Sequence, residues 1–170
     1  MRFKQVGNKG DAVAVVVKNA ESSSTIVRGT PLVLAIDGTN DGLAVVLPAT
    51  AGAAKTGAFA YGIASNAIAA GAYGESIVFG YCAHAVLVRG TRAASTDSWT
   101  SSDSFASGAI LMIDTVNNAL ISTVASLAAS SFGPMIALAQ SQVSFAASAS
   151  ATSDTRTANT VGVKVFVRML

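Results

Sequence analysis

Gly57-Ala58-Phe59-Ala60-Tyr61-Gly62-Ile63-Ala64 and Ser76-Ile77-Val78-Phe79-Gly80-Tyr81-Cys82-Ala83-His84-Ala85-Val86-Leu87-Val88-Arg89-Gly90 decide the fold class. Large side chains recur at every second position: Phe59, Tyr61 and Ile63, then Ile77, Phe79 and Tyr81. The positions between them are small or slim: Ala58, Ala60, Gly62, Ala64, Ser76, Val78 and Gly80. A period of two sends successive side chains to opposite faces of a strand. One face is then bulky and apolar, while the other is nearly flat and open to close approach by another layer. Gly71 and Gly74 punctuate the turn between the two segments. The spacing predicts two or three strands at the middle of an antiparallel sheet.

Outward from this centre the same signals recur. Toward the amino terminus, Ala12 to Lys18 carries Val13, Val15 and Val17 on one face and reads as a strand. Leu32 to Ile36 follows Pro31, which belongs at a strand's first residue or on an edge. Asp37-Gly38 and Asn40-Asp41-Gly42 are turn signals before a short strand, Leu43 to Leu47. Toward the carboxy terminus, Thr91 to Ser104 reads as a long exposed loop. Ile110 to Ile113, a turn at Asn117-Asn118, and Leu120-Ile121 read as a hairpin. Val124 to Ser131 has the length of a short helical turn, and Met135 to Ala139 reads as a further strand. Val161, Val163, Val165 and Val167 share one face of a last strand, opposite Lys164, Phe166 and Arg168.

These short strands between Gly and Asp turns predict an all-β protein, a compact β-barrel or sandwich with a mobile amino-terminal arm and long loops. The expected organisation is an arm over residues 1–10 and a single β domain over 11–170. Within that domain, the Ala-, Ser- and Thr-rich run at about 146–159 is a flexible excursion. There is also an internal echo. Arg28 to Asp37 resembles Ser107 to Asp114 with two residues removed. A short strand follows each, and then Tyr61-Gly62-Ile63-Ala64 and Phe132-Gly133-Pro134-Met135. Duplication and two similar hairpins both account for the pattern.

Composition narrows the functions. The chain has 170 residues, 51% of them hydrophobic and only 12% charged, with a net charge of +2. That excludes a disordered chain and leaves a weakly charged surface suited to cover by other subunits. The stretches Thr115 to Ser153 and Thr56 to Gly74 hold no charge. Asn, Gln, Ser, Gly or Pro interrupts both, so no membrane span is expected. No apolar segment follows the basic start, so no leader is expected either. Basic residues are scattered without interleaved aromatics, which gives no nucleic-acid surface.

Catalytic chemistry finds little support. His84 is the only histidine and Cys82 the only cysteine. Side chains at i and i+2 on a strand stand parallel, too far apart for a working dyad, and two ligands are too few for zinc. His84 reads as a partly buried structural residue, with a small enzyme using His84 as the distant alternative. No serine sits in a nucleophile elbow, and no glycine loop cradles phosphate before a helix. Asp97, Asp103 and Asp114 are too widely spaced for a calcium-binding helix–loop–helix, which leaves a loose site on the Ser/Asp loop as the metal reading. No enzyme, cofactor, metal or small-molecule substrate is expected.

Three features carry a resemblance: Tyr61-Gly62-Ile63-Ala64, the turn Ile68-Ala69-Ala70-Gly71-Ala72-Tyr73-Gly74-Glu75, and Ile77-Val78-Phe79-Gly80. Together with the Ser107-Gly108 to Asp114 hairpin, they resemble the capsid decoration, or cement, proteins of tailed bacteriophages. The likeness covers about Gly10 to Ile121, loosely, in turn-and-strand patterns without a catalytic signature. The resemblance implies a homotrimer made in the host cytoplasm and carried on the outer surface of the virion. There it would bind the major capsid protein and stabilise contacts between capsomers. A fibre or tail part is the alternative virion role. The arm supplies the capsid-binding candidates Arg2, Phe3, Lys4, Val6 and Lys9: three cations without an acid, and two apolar anchors.

Overall fold

The β-branched and aromatic run that opens the sequence reading becomes one strand of 16 residues, Tyr73–Val88, on which the rest of the chain is hung. The computed structural model describes residues 3–5, 12–36, 42–51, 59–88, 104–105, 107–114, 118–122, 137–140, 143–144 and 160–168. In chain order the strands are β1 (Phe3–Gln5), β2 (Ala12–Asn19), β3 (Pro31–Leu34), β4 (Ala44–Val46), β5 (Ala60–Ala64) and β6 (Tyr73–Val88). After them come β7 (Ser104–Phe105), β8 (Ile110–Asp114), β9 (Ala119–Ser122), β10 (Ala137–Ala139), β11 (Val143–Ser144) and β12 (Thr160–Arg168). The fold is all-β, as the alternation predicts. The helical turn expected over 124–131 and the excursion at 146–159 lie outside the described residues, as does most of the 91–104 loop.

Ten strands form one sheet in the order β1-β2-β4-β3-β5-β6-β12-β10-β8-β9, and two further pairings, β2–β6 and β6–β9, close it on itself. The first closure makes a five-strand barrel, β2-β4-β3-β5-β6. The second completes an equivalent circuit, β6-β12-β10-β8-β9, that shares β6 with the first. β7 and β11 pair separately. The ladders are antiparallel except for two short parallel contacts, β2–β4 and β6–β9. Each circuit contains one of these parallel contacts, and closure removes open edges that a flat sheet would expose.

The two circuits repeat one topology, and the internal echo marks their common part. Gly29 and Gly108 open corresponding strands with φ of 86° and 85°. The Gly29 amide donates to the Ala64 carbonyl, and the Gly108 amide to the Ala139 carbonyl. The Ala64 amide answers Thr30 and the Ala139 amide answers Ala109. Leu32 faces Gly62 just as Leu111 faces Ala137. The counterpart of Gly62-Ile63-Ala64 is therefore Ala137-Leu138-Ala139. Phe132-Gly133-Pro134-Met135, matched to it by sequence, lies outside the described residues. The aromatic-Gly likeness misleads because Ala137 fills the place of Gly62. Asn118, with φ of 51°, makes the predicted turn between β8 and β9.

Burial distinguishes the two faces of β6. The flat face is the inside. Ser76, Val78 and Cys82 on β6 are buried, whereas Phe79 and Tyr81 on the bulky face are exposed. A small barrel brings facing strands close together, and slim side chains suit that interior. At Gly62 a Cβ would run into Ser76 Oγ and the Ile77 carbonyl. The flat face is thus used within the chain and is not free for another subunit. The bulky alternation also breaks at Tyr61. A bulge between Leu32 and Val33 in the β3–β5 register sends Tyr61 to the first-barrel core and Ile63 to the other cluster.

Val15, Val17, Ile26, Leu32, Val45, Ala64, Ile68 and Val78 form the core of the first barrel. Cys82, Ala85, Leu87, Leu111, Ile113, Leu120, Val163, Val165 and Val167 form the second, joined by Val33, Ile63 and Ile77 from the outside of the first. The terminal valine strand is core, as its pattern predicts. Asn19, one residue beyond the strand read from the sequence, is the last residue of β2 and is fully buried. Its amide donates to the Ser24 and Ile68 carbonyls at 2.9 Å each, and its Oδ1 accepts from the Glu21 amide. The matching place in the second circuit, set by the parallel contacts, is the apolar Leu87.

The two paired glycines provide a test. Both need a left-handed backbone, which costs a side chain about 1–2 kcal/mol. Only Gly29 also has a backbone carbonyl, that of His84, where a Cβ would go, whereas Gly108 has open space. Gly29→Ala should therefore lose about 3 kcal/mol or more, and Gly108→Ala about 1–2 kcal/mol, in denaturant unfolding. Equal losses would contradict the close approach of Gly29 to β6.

Candidate functional site

Two places hold chemistry that the fold has assembled. One is polar. A bulge in the β6–β12 ladder between Val163 and Val165 sets Val165 opposite Cys82 and Val163 opposite Ala85. Cys82 and Ala85 both point inward, so His84 is turned out of phase with Cys82. The two side chains do not share a face, contrary to the i, i+2 expectation, because the bulge inserts a residue. Burial pushes the Cys82 thiol up, so it stays protonated inside the core. A Cys-His dyad is not assembled.

His84 instead meets Arg28 from the loop before β3, whose Nη2 lies 2.9 Å from His84 Nδ1. A guanidinium can only donate, so Nδ1 accepts, and a neutral ring carries its proton on Nε2. Nε2 is buried, and among the described residues it has no partner at hydrogen-bond geometry. Burial holds the imidazole below its ordinary range, and the Arg28 charge adds to this. The Ser65 and Ala64 backbone offsets the shift in part. With the Val86 amide donating to Gly29, the pair ties the first barrel's loop to the second half of β6. That is a structural role. Among the described residues no group of three or more His, Cys, Asp or Glu could hold a metal ion. No helix of the described residues is long and apolar enough to cross a membrane.

The other place is a surface. Strand register sets Tyr81 opposite Phe166, Phe166 opposite Leu138, and Leu138 opposite Ile110. One apolar row therefore crosses β6, β12, β10 and β8 on the outside of the second circuit. At roughly 4.8 Å per strand it spans about 14 Å. Tyr81 is 39% exposed and Ile110 42%. Phe79 extends the row and meets Phe166 edge to face, with ring centroids 5.3 Å apart and an interplanar angle of 80°. Lys164 and Arg168, two residues either side of Phe166, are exposed on the same face. The alternation at Phe79 and Tyr81 was visible in the sequence. Its continuation through Leu138 and Ile110 was not, because only register brings those strands together.

The arm candidates divide. Phe3 and Lys4 lie in β1, opposite Val15 and Ala14 of β2, so this part of the arm is a strand on the protein's own sheet. Arg2, Val6 and Lys9 lie outside the described residues. Comparison with known proteins finds no matching family model and no matching curated relative.

The pH behaviour of His84 follows from its surroundings. Its folded pKa lies below the unfolded value, so the unfolded chain binds more protons once the pH drops below the ordinary imidazole range. Stability is then full well above about pH 6.5 and declines as the pH falls through that value. His84→Gln, which keeps an acceptor for Arg28, should flatten the decline between about pH 7.5 and 5 when denaturation midpoints are compared. An unchanged decline would place the acid sensitivity elsewhere.

Proposed function

We propose that this chain is a structural protein of a tailed-phage particle, a decoration protein that sits on the outside of the head and stabilises contacts between capsomers. The observation that carries the reading is the apolar row Tyr81–Phe166–Leu138–Ile110, exposed at both ends and standing on a closed β framework. Contiguous apolar surface of this kind marks a protein contact. The resemblance of the Tyr61 to Gly80 region supports the reading: in the structure its parts form the β5–turn–β6 unit of the first barrel. The working form is a homotrimer, which would multiply weak contacts with the major capsid protein by avidity.

The arm is the second attachment device. A three-residue strand on the edge of β2 makes few hydrogen bonds. It can leave that edge and add to a sheet edge on the capsid protein at a modest cost. Deleting residues 1–9 should leave the folded trimer intact and lower its retention on heads that lack it by about tenfold or more at physiological salt. Sedimentation of the decorated heads measures this. Undiminished retention would remove the arm from the contact. Failure of the full chain to bind heads, or cross-linking of particles that never traps three subunits, would count against the decoration reading itself.

A further inference from the structure

The same cross-strand row exists in both circuits, and its fate differs. In the first barrel it is Ala14–Ile77–Ile63–Pro31. All four are buried, and Ile63 and Ile77 pack in one cluster with Cys82, Leu87, Leu111 and Val165 of the second circuit. The corresponding row of the second circuit, Tyr81–Phe166–Leu138–Ile110, is just as apolar, but both its ends are open. Among the described residues the second circuit covers the first row, whereas the second row is half-buried at Phe166 and Leu138 and open at both ends.

Charge says what kind of cover fits. Lys164 and Arg168 flank Phe166 on β12, and the exposed described residues of this face include no carboxylate; Asp114, in phase with Ile110 on β8, is buried. A second copy laid face to face across a two-fold axis would bring these cations together, which is unfavourable. A lipid surface also fits poorly. The row lies along the middle of four strands and does not project from a loop tip or an amphipathic helix, so it cannot reach below the headgroups.

We propose that the outer face of β6, β12, β10 and β8 docks a protein partner whose contacting strip is apolar at its centre and carries carboxylates at its rim. The aromatic row supplies the desolvated centre and the two cations set orientation. Lys164 and Arg168 thus place acidic groups of the partner on either side of the position facing Phe166. Only the partner's identity, the major capsid protein, rests on the decoration reading.

Carbodiimide coupling, which joins an amine to a carboxylate without a spacer, tests this in native extracts that contain the full chain and on purified heads. Lys164 should couple to an Asp or Glu of a different protein. Tyr81→Ser with Ile110→Ser, compared at a temperature where the variant's cooperative melting shows it fully folded, should reduce that product about tenfold or more. The charge reversal Lys164→Glu with Arg168→Glu should weaken co-sedimentation with the coupled protein to a similar degree. Coupling to the major capsid protein supports both the docking face and the decoration reading. Coupling to another protein, with the same loss in the Ser variants, keeps the docking face and overturns the decoration reading. Coupling only to a second copy, no interchain product from Lys164, or indifference to the Ser substitutions would overturn the docking face. So would flotation with anionic phosphatidylglycerol vesicles that the Ser substitutions abolish.

Discussion

Everything in this molecule depends on β6 being hydrogen-bonded along both edges by two different sets of strands. β2 pairs with it from Tyr73 to Gly80 and β12 from Phe79 to Val88, so the two ladders overlap at Phe79 and Gly80. At this waist the first barrel gives way to the second circuit. Each ladder carries one bulge beside it, at Val13/Ala14 and at Val163/Val165, and bulges bend and twist a strand. Gly80, with φ of 99°, sits at this waist, where one strand must leave one closed wall and enter another. Neither circuit can close without its half of β6, so damage at the waist costs both.

The contrast between the two halves shows how one topology accepts different interiors. The first barrel ends β2 on Asn19, whose buried amide holds the Ser24 and Ile68 carbonyls and the Glu21 backbone. Glu21 in turn accepts from the Leu47 amide and the Thr50 hydroxyl at the start of the helical turn over 48–51. A polar network thus fixes one end of that barrel. The second circuit has Leu87 at the matching position and relies on apolar packing against Leu111, Ile113 and Leu120. The hydrogen-bonded frame is common to both, and the filling is local.

Much of the frame was legible in the sequence, because alternation and turn chemistry are local. Val13, Val15 and Val17, the valines of β12 and the Asn118 turn all announce themselves within a few residues. The echo between Arg28–Asp37 and Ser107–Asp114 pointed to the repeated hairpin, since Gly29 and Gly108 meet the same backbone demand. What was illegible depends on curvature and register. Small residues on β6 look like a surface made for another layer until the strand is rolled into a barrel, and then they are its lining. The row from Tyr81 through Phe166 and Leu138 to Ile110 joins residues from strands far apart in the chain, and no local pattern links them. The attachment candidates followed the same divide. The arm could be picked out by charge, whereas the face with Phe166 at its middle required the fold.

The sharing of β6 also orders events while the chain is being made. Every strand of the first barrel has been synthesised by the time β6 is complete, so that barrel can close early, from contacts of modest sequence separation. The second half of β6 must then wait with an open edge, and with Cys82, Ala85 and Leu87 uncovered, until β12 arrives after more than seventy further residues. A long open edge beside apolar side chains is the feature that recruits a wrong strand from another chain. The nascent protein therefore passes through a stage in which half of it is finished and the other half is adhesive. Its yield in the cell depends on how quickly the last strand reaches the waist.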